Sequence, residues 1–373
     1  MKIVIVGVFP PFRGGISNFY QTLYEKLSYD HDVTAINFSL QYPNILFPGK
    51  SQYDNNLKSD IKIERTISSI NPISWNKTAK RIIKLKPDII IFKYWIPFLA
   101  PSFGSIIKIV KKKLSIKSLV ICDNIIPHES RLFDKHLTKY FFKYIDHFIV
   151  MSRSVEKDLL SLFPNAKYIY TPHPLYDIFG KLNNKHKSRS HLKIQENKVI
   201  LFFGLIRPYK GLDLLIHAAN ILKEKLNDFK ILAVGDCYEK PEPYSNMINT
   251  KKLNEFFDLR FEFVPNDKVH LYFSAADIIV LPYKSATQSG IVPIAYHFNK
   301  PVIVTNVGGL SEIVQEGKTG YVVEADSTEI ADGIIKYYNN SEKVNFSKNI
   351  KLYNENFTWD KFIKKIERII INE

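Results

Sequence analysis

The chain has 373 residues, room for two domains of ordinary size, and its 45% hydrophobic and 24% charged residues are the balance of a globular protein rather than a disordered or fibrous one. Its two cysteines, Cys122 and Cys237, stand in no metal-ligand spacing, which excludes a zinc module or disulfide framework and points to reduced, buried thiols. The net charge of +15 is uneven: residues 1–170 hold 25 Lys and Arg against 13 Asp and Glu, whereas residues 171–373 hold 27 against 24. No zinc-finger spacing, RNA-binding aromatic signature or basic zipper accompanies that charge, so nucleic acid is not the expected partner. An anionic membrane surface fits better. Phe103 to Ser118 places Ile106, Ile107, Val110 and Leu114 on one helical stripe beside Lys108, Lys111, Lys112 and Lys113. Tyr140, Phe141, Phe142 and Tyr144 lie among Lys135, Lys139 and Lys143. The alternative for both stretches is a core-packed helix with lysines on its wet face. The opening apolar run is too short for a signal peptide and no run of about 18 apolar residues follows. The expected location is cytoplasmic, with peripheral contact at the inner membrane face.

In chain order, Lys2–Phe9 reads as a strand, Pro10 to Gly15 as the loop after it, and Ile16–Leu27 as a helix. A strand, a Gly14-Gly15 turn and a helix start are how doubly wound sheets open a ligand crevice, although the pattern is not G-x-G-x-x-G and no nicotinamide site follows. Val33–Phe38 is a second strand, and residues 40–60 form a long loop suited to covering an acceptor. Next come helix Trp75–Leu85, strand Asp88–Phe92, helix Ser102–Lys113 and strand Leu119–Cys122. A polar cluster from Asp123 to Glu129 follows directly, then strand His147–Met151 and helix Val155–Phe163. Such alternation predicts a parallel sheet flanked by helices.

Thr171-Pro172-His173-Pro174 and the polar, basic run Lys181–Lys198 interrupt the pattern, and an interdomain linker is expected at 176–197. The alternation restarts with strands Val199–Phe203, Phe229–Val234, Phe261–Val264, Asp277–Leu281, Val302–Thr305 and Tyr321–Val323, and Thr358–Ile371 reads as an amphipathic final helix. The most informative stretch is Val199 to Gly211. A buried strand ends at Gly204, Arg207 and Lys210 follow, and Gly211 precedes a helix with apolar positions at Leu212, Leu214, Leu215, Ala218 and Ala219. An Arg fork, a Lys point charge and a helix start around one small space suit a diphosphate. The alternative is a solvent-exposed basic loop.

Further stretches carry a family resemblance: Val234-Gly235, Ala276 to Pro282, Ser289-Gly290-Ile291-Val292-Pro293, Lys300-Pro301-Val302, Val307 to Glu312 and Gly317 to Gly320. Together with Gly204 to Gly211, in this order and at these spacings, they resemble the donor domain of GT-B fold glycosyltransferases, in particular the retaining family 4. The first half resembles the family less specifically, through Gly14-Gly15 and the Asp123 to His128 cluster. The resemblance implies an α/β chain of two Rossmann-like domains facing a central cleft. Residues 1–175 would be the acceptor-binding domain, 176–197 the linker and 198–355 the nucleotide-sugar-binding domain, with 356–373 a helix crossing back to the N-terminal domain.

It also implies roles. Arg207 and Lys210 would bind the donor diphosphate, a UDP- or GDP-sugar, and stabilise it as it leaves, with Gly204 making room. Backbone groups at Val264 and Pro265 would read the base, and the N–H groups of Ser289, Gly290 and Ile291 would hold phosphate. No cofactor and no metal are called for, since two fixed cations neutralise the leaving group. Gly14 and Gly15 would approach a donor or acceptor phosphate. The family's pair of glutamates eight apart falls here on Thr287 and Ala295, so Thr287 and Gln288 are expected to supply hydrogen bonds instead. A family histidine that contacts the donor sugar falls on Asp123, with His128 five residues on; either is the expected catalytic group on the acceptor side. The function implied is retaining transfer from a nucleotide sugar to a saccharide or polyprenyl-linked saccharide acceptor in surface polysaccharide synthesis. The alternatives are a non-catalytic sugar-nucleotide-binding partner subunit, motivated by the missing carboxylates, and a sugar-nucleotide epimerase.

Overall fold

A computed structural model describes residues 1–43, 45, 47, 51–54, 61–127 and 132–371. The chain divides into two compact units, residues 1–172 with 359–373, and residues 173–358.

The first unit holds strands β1 (Lys2–Gly7), β2 (Asp32–Leu40), β3 (Ile63–Ser68), β4 (Ile89–Tyr94), β5 (Lys117–Cys122), β6 (His147–Val150) and β7 (Tyr168–Tyr170), all parallel in the order β3-β2-β1-β4-β5-β6-β7. Helices α1 (Gly15–Leu27), α2 (Pro72–Leu85), α3 (Ala100–Lys111), α4 (Asp134–Phe142) and α5 (Arg153–Leu162) connect them. β1 and β4 are near-continuous apolar runs because helices bury both faces of a parallel sheet. The chain reverses its winding between β1 and β4, which places the switch point at their carboxyl ends. The final helix, Trp359–Ile371, belongs to this unit: Trp359 and Phe362 pack on Phe19 of α1, at 5.1 and 5.8 Å between ring centroids, and Ile366 is fully buried. Lys365 Nζ donates to the Tyr170 carbonyl at 2.9 Å.

Two sequence expectations change here. β3 and β7 join the sheet as edge strands that the pattern did not reveal. The apolar stripe Ile106, Ile107 and Val110 of α3 is fully buried in the core, as are Phe141 and Phe142 of α4. These residues are therefore core, not a membrane-facing surface, while Lys112, Lys113, Lys135, Lys139 and Lys143 beside them are exposed and Leu114, Tyr140 and Tyr144 half-buried. Of the loop expected over 40–60, residues 44, 46, 48–50 and 55–60 lie outside the described set; Gln52 clasps the Tyr42 backbone through both side-chain atoms.

The second unit holds β8 (Lys198–Phe203), β9 (Phe229–Val234), β10 (Phe257–Arg260), β11 (Ile278–Leu281), β12 (Val302–Thr305) and β13 (Gly320–Val323), in the order β10-β9-β8-β11-β12-β13, again parallel. Its helices are α6 (Lys185–Leu192), α7 (Leu212–Leu222), α8 (Glu242–Thr250), α9 (Asn266–Ala275), α10 (Ile291–His297), α11 (Ser327–Asn340) and α12 (Phe346–Tyr353). Alternate residues of β8 serve two cores: Val199 and Leu201 pack with α9 and α10, Ile200 and Phe202 with α7 and α11. The run expected as a linker contains α6, opened by the Asn184 side chain accepting from Lys187 N. Arg189 of α6 donates to the Ala275, Glu196 and Asn197 carbonyls and pairs with Asp277 at 2.9 Å, which binds the helix into this unit. The strand expected at 261–264 is β10 at 257–260, four residues earlier, and Gly235 N still reaches the Arg260 carbonyl just beyond β9.

Candidate functional site

In the second unit the switch point lies between β8 and β11, and the loops that leave their carboxyl ends carry most of the expected site. After β8 the chain passes Gly204, extends through Arg207, makes a single 3-10 turn over Pro208–Lys210 and enters α7 through Gly211 at φ 71°. A Cβ on Gly211 would stand 1.8 Å from the Pro282 carbonyl oxygen, so glycine lets the β11 loop close over the β8 loop. Lys284 N then donates to the Tyr209 carbonyl at 2.8 Å and fixes the two loops together.

Arg207 is half-buried, with its guanidinium 5.2 Å from the centre of the Tyr238 ring. Lys210, also half-buried, sets its ammonium 3.7 Å above the Tyr283 ring. Among the described residues neither cation has a carboxylate partner. Loss of solvent, reinforced by Arg207 and opposed by Tyr209, lowers the Lys210 pKa to about 8. A site with two cations and no counter-charge is electrostatically incomplete without an anion.

Tyr283 was not foreseen as part of this site. It is buried, its hydroxyl lies 3.2 Å from Ser289 Oγ, and its carbonyl accepts from Thr305 Oγ1 at 2.6 Å. The ring therefore supports Lys210 from below and ties it to the turn that opens α10. The only signal was an aromatic residue immediately after Leu281-Pro282 in a loop otherwise built of small polar residues. Gly290 occupies the cap position of α10, 3.5 Å in projected Cβ contact from the Tyr176 hydroxyl. Ile291 N–H is engaged by Ser289 Oγ at 3.2 Å, so of the three N–H groups expected to hold phosphate it is already committed. Thr287 is buried and its carbonyl accepts from Gly309 N; Gln288 is half-buried. Ala295 is fully buried in the core, so no side chain there replaces the second glutamate. Val264 packs in the core ahead of α9, and the Pro265 carbonyl accepts from Lys268 N.

In the first unit Gly14, at φ 105°, precedes α1, whose first turn has no side-chain cap and starts at the carboxyl end of β1. Asp123 follows β5; its N–H donates to the Tyr94 carbonyl and its carboxylate is ion-paired with Lys93 of β4. His128 lies outside the described residues. Among the described residues no group of three or more His, Cys, Asp and Glu is placed to hold a metal ion. The chain does contain an Asp-x-Asp, Asp30-His31-Asp32, but it leads into the start of β2, at the edge of the sheet opposite the strands' carboxyl ends.

A cation pair at a Rossmann switch point suits many nucleotide ligands, and comparison with known proteins narrows the choice. The family model for glycosyl transferases group 1 matches residues 183–372. The chain belongs to this family. It is an α/β glycosyltransferase of the GT-B type. An uncharacterized glycosyltransferase of Methanocaldococcus jannaschii is 25% identical over 99% of this chain and 97% of its own. The lipopolysaccharide 1,2-N-acetylglucosaminetransferase of Salmonella typhimurium is 26% identical over 52% of this chain and 53% of its own. Among solved structures, HepE of Anabaena in complex with UDP-glucose covers both chains fully at TM-score 0.79 and 15% identity. A glycosyltransferase of Rickettsia africae gives TM-score 0.74 at 22% identity, covering 99% and 98%. At these identities the structural matches establish the fold. Among the described residues no helix of this glycosyltransferase is long and apolar enough to cross a membrane.

If Lys210 binds a donor diphosphate, as proposed below, its depressed pKa makes a prediction. The diphosphate diester of a sugar nucleotide keeps its charge between pH 7 and 9, so the change in its pairing with Lys210 comes from the protein. Lys210 must be protonated to pair with it; affinity is therefore full below about pH 8 and falls as pH rises through that value. The expected loss is about tenfold per pH unit beyond it. Calorimetric titration with UDP-glucose, GDP-glucose, ADP-glucose or dTDP-glucose, whichever binds, at pH 7 and 9 checks this. Lys210→Arg should flatten the profile, and a flat wild-type profile contradicts the assignment.

Proposed function

We propose that this glycosyltransferase moves a sugar, with retention, from a nucleotide-diphosphate sugar to a saccharide acceptor carried on a lipid, in surface polysaccharide synthesis. The observation that carries the reading is the pair Arg207 and Lys210 on the loop after β8 at the switch point of the second sheet, half-buried, electrostatically coupled and without a carboxylate partner among the described residues. Arg207 offers a planar fork to two phosphate oxygens and Lys210 a point charge; the Tyr283 ring under Lys210 meets Ser289, which precedes α10, through its hydroxyl. Gly14 and the uncapped start of α1 are the matching phosphate-tolerant element of the first unit. A UDP-sugar is the favoured donor class because HepE, of the same fold, holds UDP-glucose. The Salmonella relative acts on lipopolysaccharide, which supports a saccharide acceptor. Leu132 and Phe133, 92% and 72% exposed beside Lys135 and Lys139, give the first unit a surface suited to an anionic membrane.

In the reaction the acceptor hydroxyl attacks the anomeric carbon on the face that the diphosphate leaves. Its proton passes to the departing phosphate oxygen, while Arg207 and Lys210 stabilise the charge that develops there. Two fixed cations do the work of a metal ion on this account. Turnover is thus expected to persist in excess EDTA and to give a product with the donor's anomeric configuration, read by proton NMR. A rate that vanishes with EDTA and returns with Mg²⁺, or an inverted product, contradicts the mechanism.

A further inference from the structure

Lys93 is the penultimate residue of an otherwise apolar strand, I-I-I-F-K-Y, every residue of which is buried. Its ammonium contacts two things: the Asp123 carboxylate, and the ring of Phe19, 4.1 Å from the ring centre. Phe19 is itself backed by Trp359. The strand is pinned at this residue, since the Tyr20 hydroxyl accepts from Lys93 N at 2.6 Å and donates to the Val6 carbonyl at 3.0 Å. The partners differ in access. The Lys93 side chain is 2% exposed, whereas Asp123, just past β5 and anchored by its N–H to Tyr94, is 14% exposed at the carboxyl edge of the sheet. Two described titratable neighbours, Tyr20 and Cys122, do not compete, because burial pushes the pKa values of both well up and leaves them neutral.

Stability does not account for the pair. Removing a lysine and a carboxylate from water costs about as much as their attraction returns, and well-packed apolar residues generally do as well or better. What the pair does supply is orientation of a carboxylate at the one edge where parallel sheets bind ligands. We propose that Lys93 is a positioning residue: it fixes the Asp123 carboxylate to accept a hydrogen bond from a sugar hydroxyl during transfer. The inference rests on the glycosyl-transfer reading above and adds to it the residue that sets the acceptor-side group.

The test uses the full-length protein and the glucose nucleotide, among UDP-, GDP-, ADP- and dTDP-glucose, that it turns over. Asp123→Asn should lower kcat at least a hundredfold with binding of the free nucleoside diphosphate unchanged. Lys93→Gln should lower kcat at least tenfold, below its melting temperature, with donor KM within twofold, and Lys93→Arg should restore most of the loss. If slow donor hydrolysis without acceptor falls in parallel, the hydroxyl belongs to the donor; if only transfer falls, it belongs to the acceptor. Should Lys93→Gln not fold, Asp123→Asn and Lys93→Arg carry the test. Near-normal kcat in Asp123→Asn, or Lys93 variants that lose melting temperature but not kcat, would overturn the inference while leaving the donor site standing. Failure to bind or turn over any of the four nucleotides would remove the transfer reading itself.

Discussion

Alanine at both Arg207 and Lys210 is expected to lower turnover by a factor of about a thousand or more while leaving the protein folded. Losing a single preorganised group that stabilises developing charge costs about 10²–10³ in rate, and on the proposed assignment two such groups act on one leaving diphosphate. Fold and rate separate because neither side chain is part of a core cluster and neither has an ionic partner to strand among the described residues. The single variants should each lose less than the pair, but not additively, since both act on the same oxygens. Arg207→Lys should recover only part of the loss, because an ammonium cannot make the two parallel hydrogen bonds of the guanidinium. Initial rates with saturating donor, beside a melting curve, decide the matter. A double variant that keeps a tenth of wild-type turnover would move the chemistry elsewhere.

Gly308→Ala is expected to destabilise the second unit by about 2–5 kcal/mol, lowering its melting temperature by about 5–20 °C. Gly308 adopts φ 52°, and a Cβ there would fall 1.6 Å from the Ala286 carbonyl oxygen. Left-handed backbone costs a residue with a side chain about 1–2 kcal/mol, and relieving such an overlap typically costs a further 1–3 kcal/mol. The neighbouring Gly309 N–H bonds the Thr287 carbonyl, so the displacement passes directly into the loop that carries Thr287 to Gly290. Donor binding should weaken along with stability. A variant with an unchanged melting temperature would show that this close approach is not part of the folded state in solution.

Legibility in the sequence followed the physics of each element. The central strands could be read because a parallel sheet buried on both faces demands unbroken apolar runs, as in β1, β8 and β12. Helix α6, K-H-K-S-R-S-H-L, could not be: it has almost no apolar face, and the hydrogen bonds of Arg189 to residues distant in sequence hold it. β10 was misplaced because F-D-L-R and F-E-F-V are adjacent and equally strand-like. The choice rests on contacts of Arg260, which binds both Asp258 and the Leu192 carbonyl. The amphipathic stripe of α3 has the same pattern whether it faces a membrane or a core, and only packing distinguishes the two. In the site, Arg207, Lys210 and the glycines announced themselves as a motif. Tyr283 and Lys93 did not, since their roles arise from what lies against them: the ammonium of Lys210 over the Tyr283 ring, and Asp123 beside Lys93. The strand read from the sequence ended at Phe92, one residue short of Lys93, whereas β4 runs to Tyr94.

The measurement that bears most directly on the central claim is thermal stabilisation of the purified protein by UDP-, GDP-, ADP- and dTDP-glucose, each compared between wild type and Arg207→Ala. A ligand at ~100 times its dissociation constant adds about 2.7 kcal/mol of stability, a shift of several degrees. The account predicts stabilisation of the wild type by one nucleotide class, with UDP the favoured one, and its loss in the variant. Stabilisation by none of the four, or equal stabilisation of both proteins, would contradict a diphosphate site at Arg207 and Lys210.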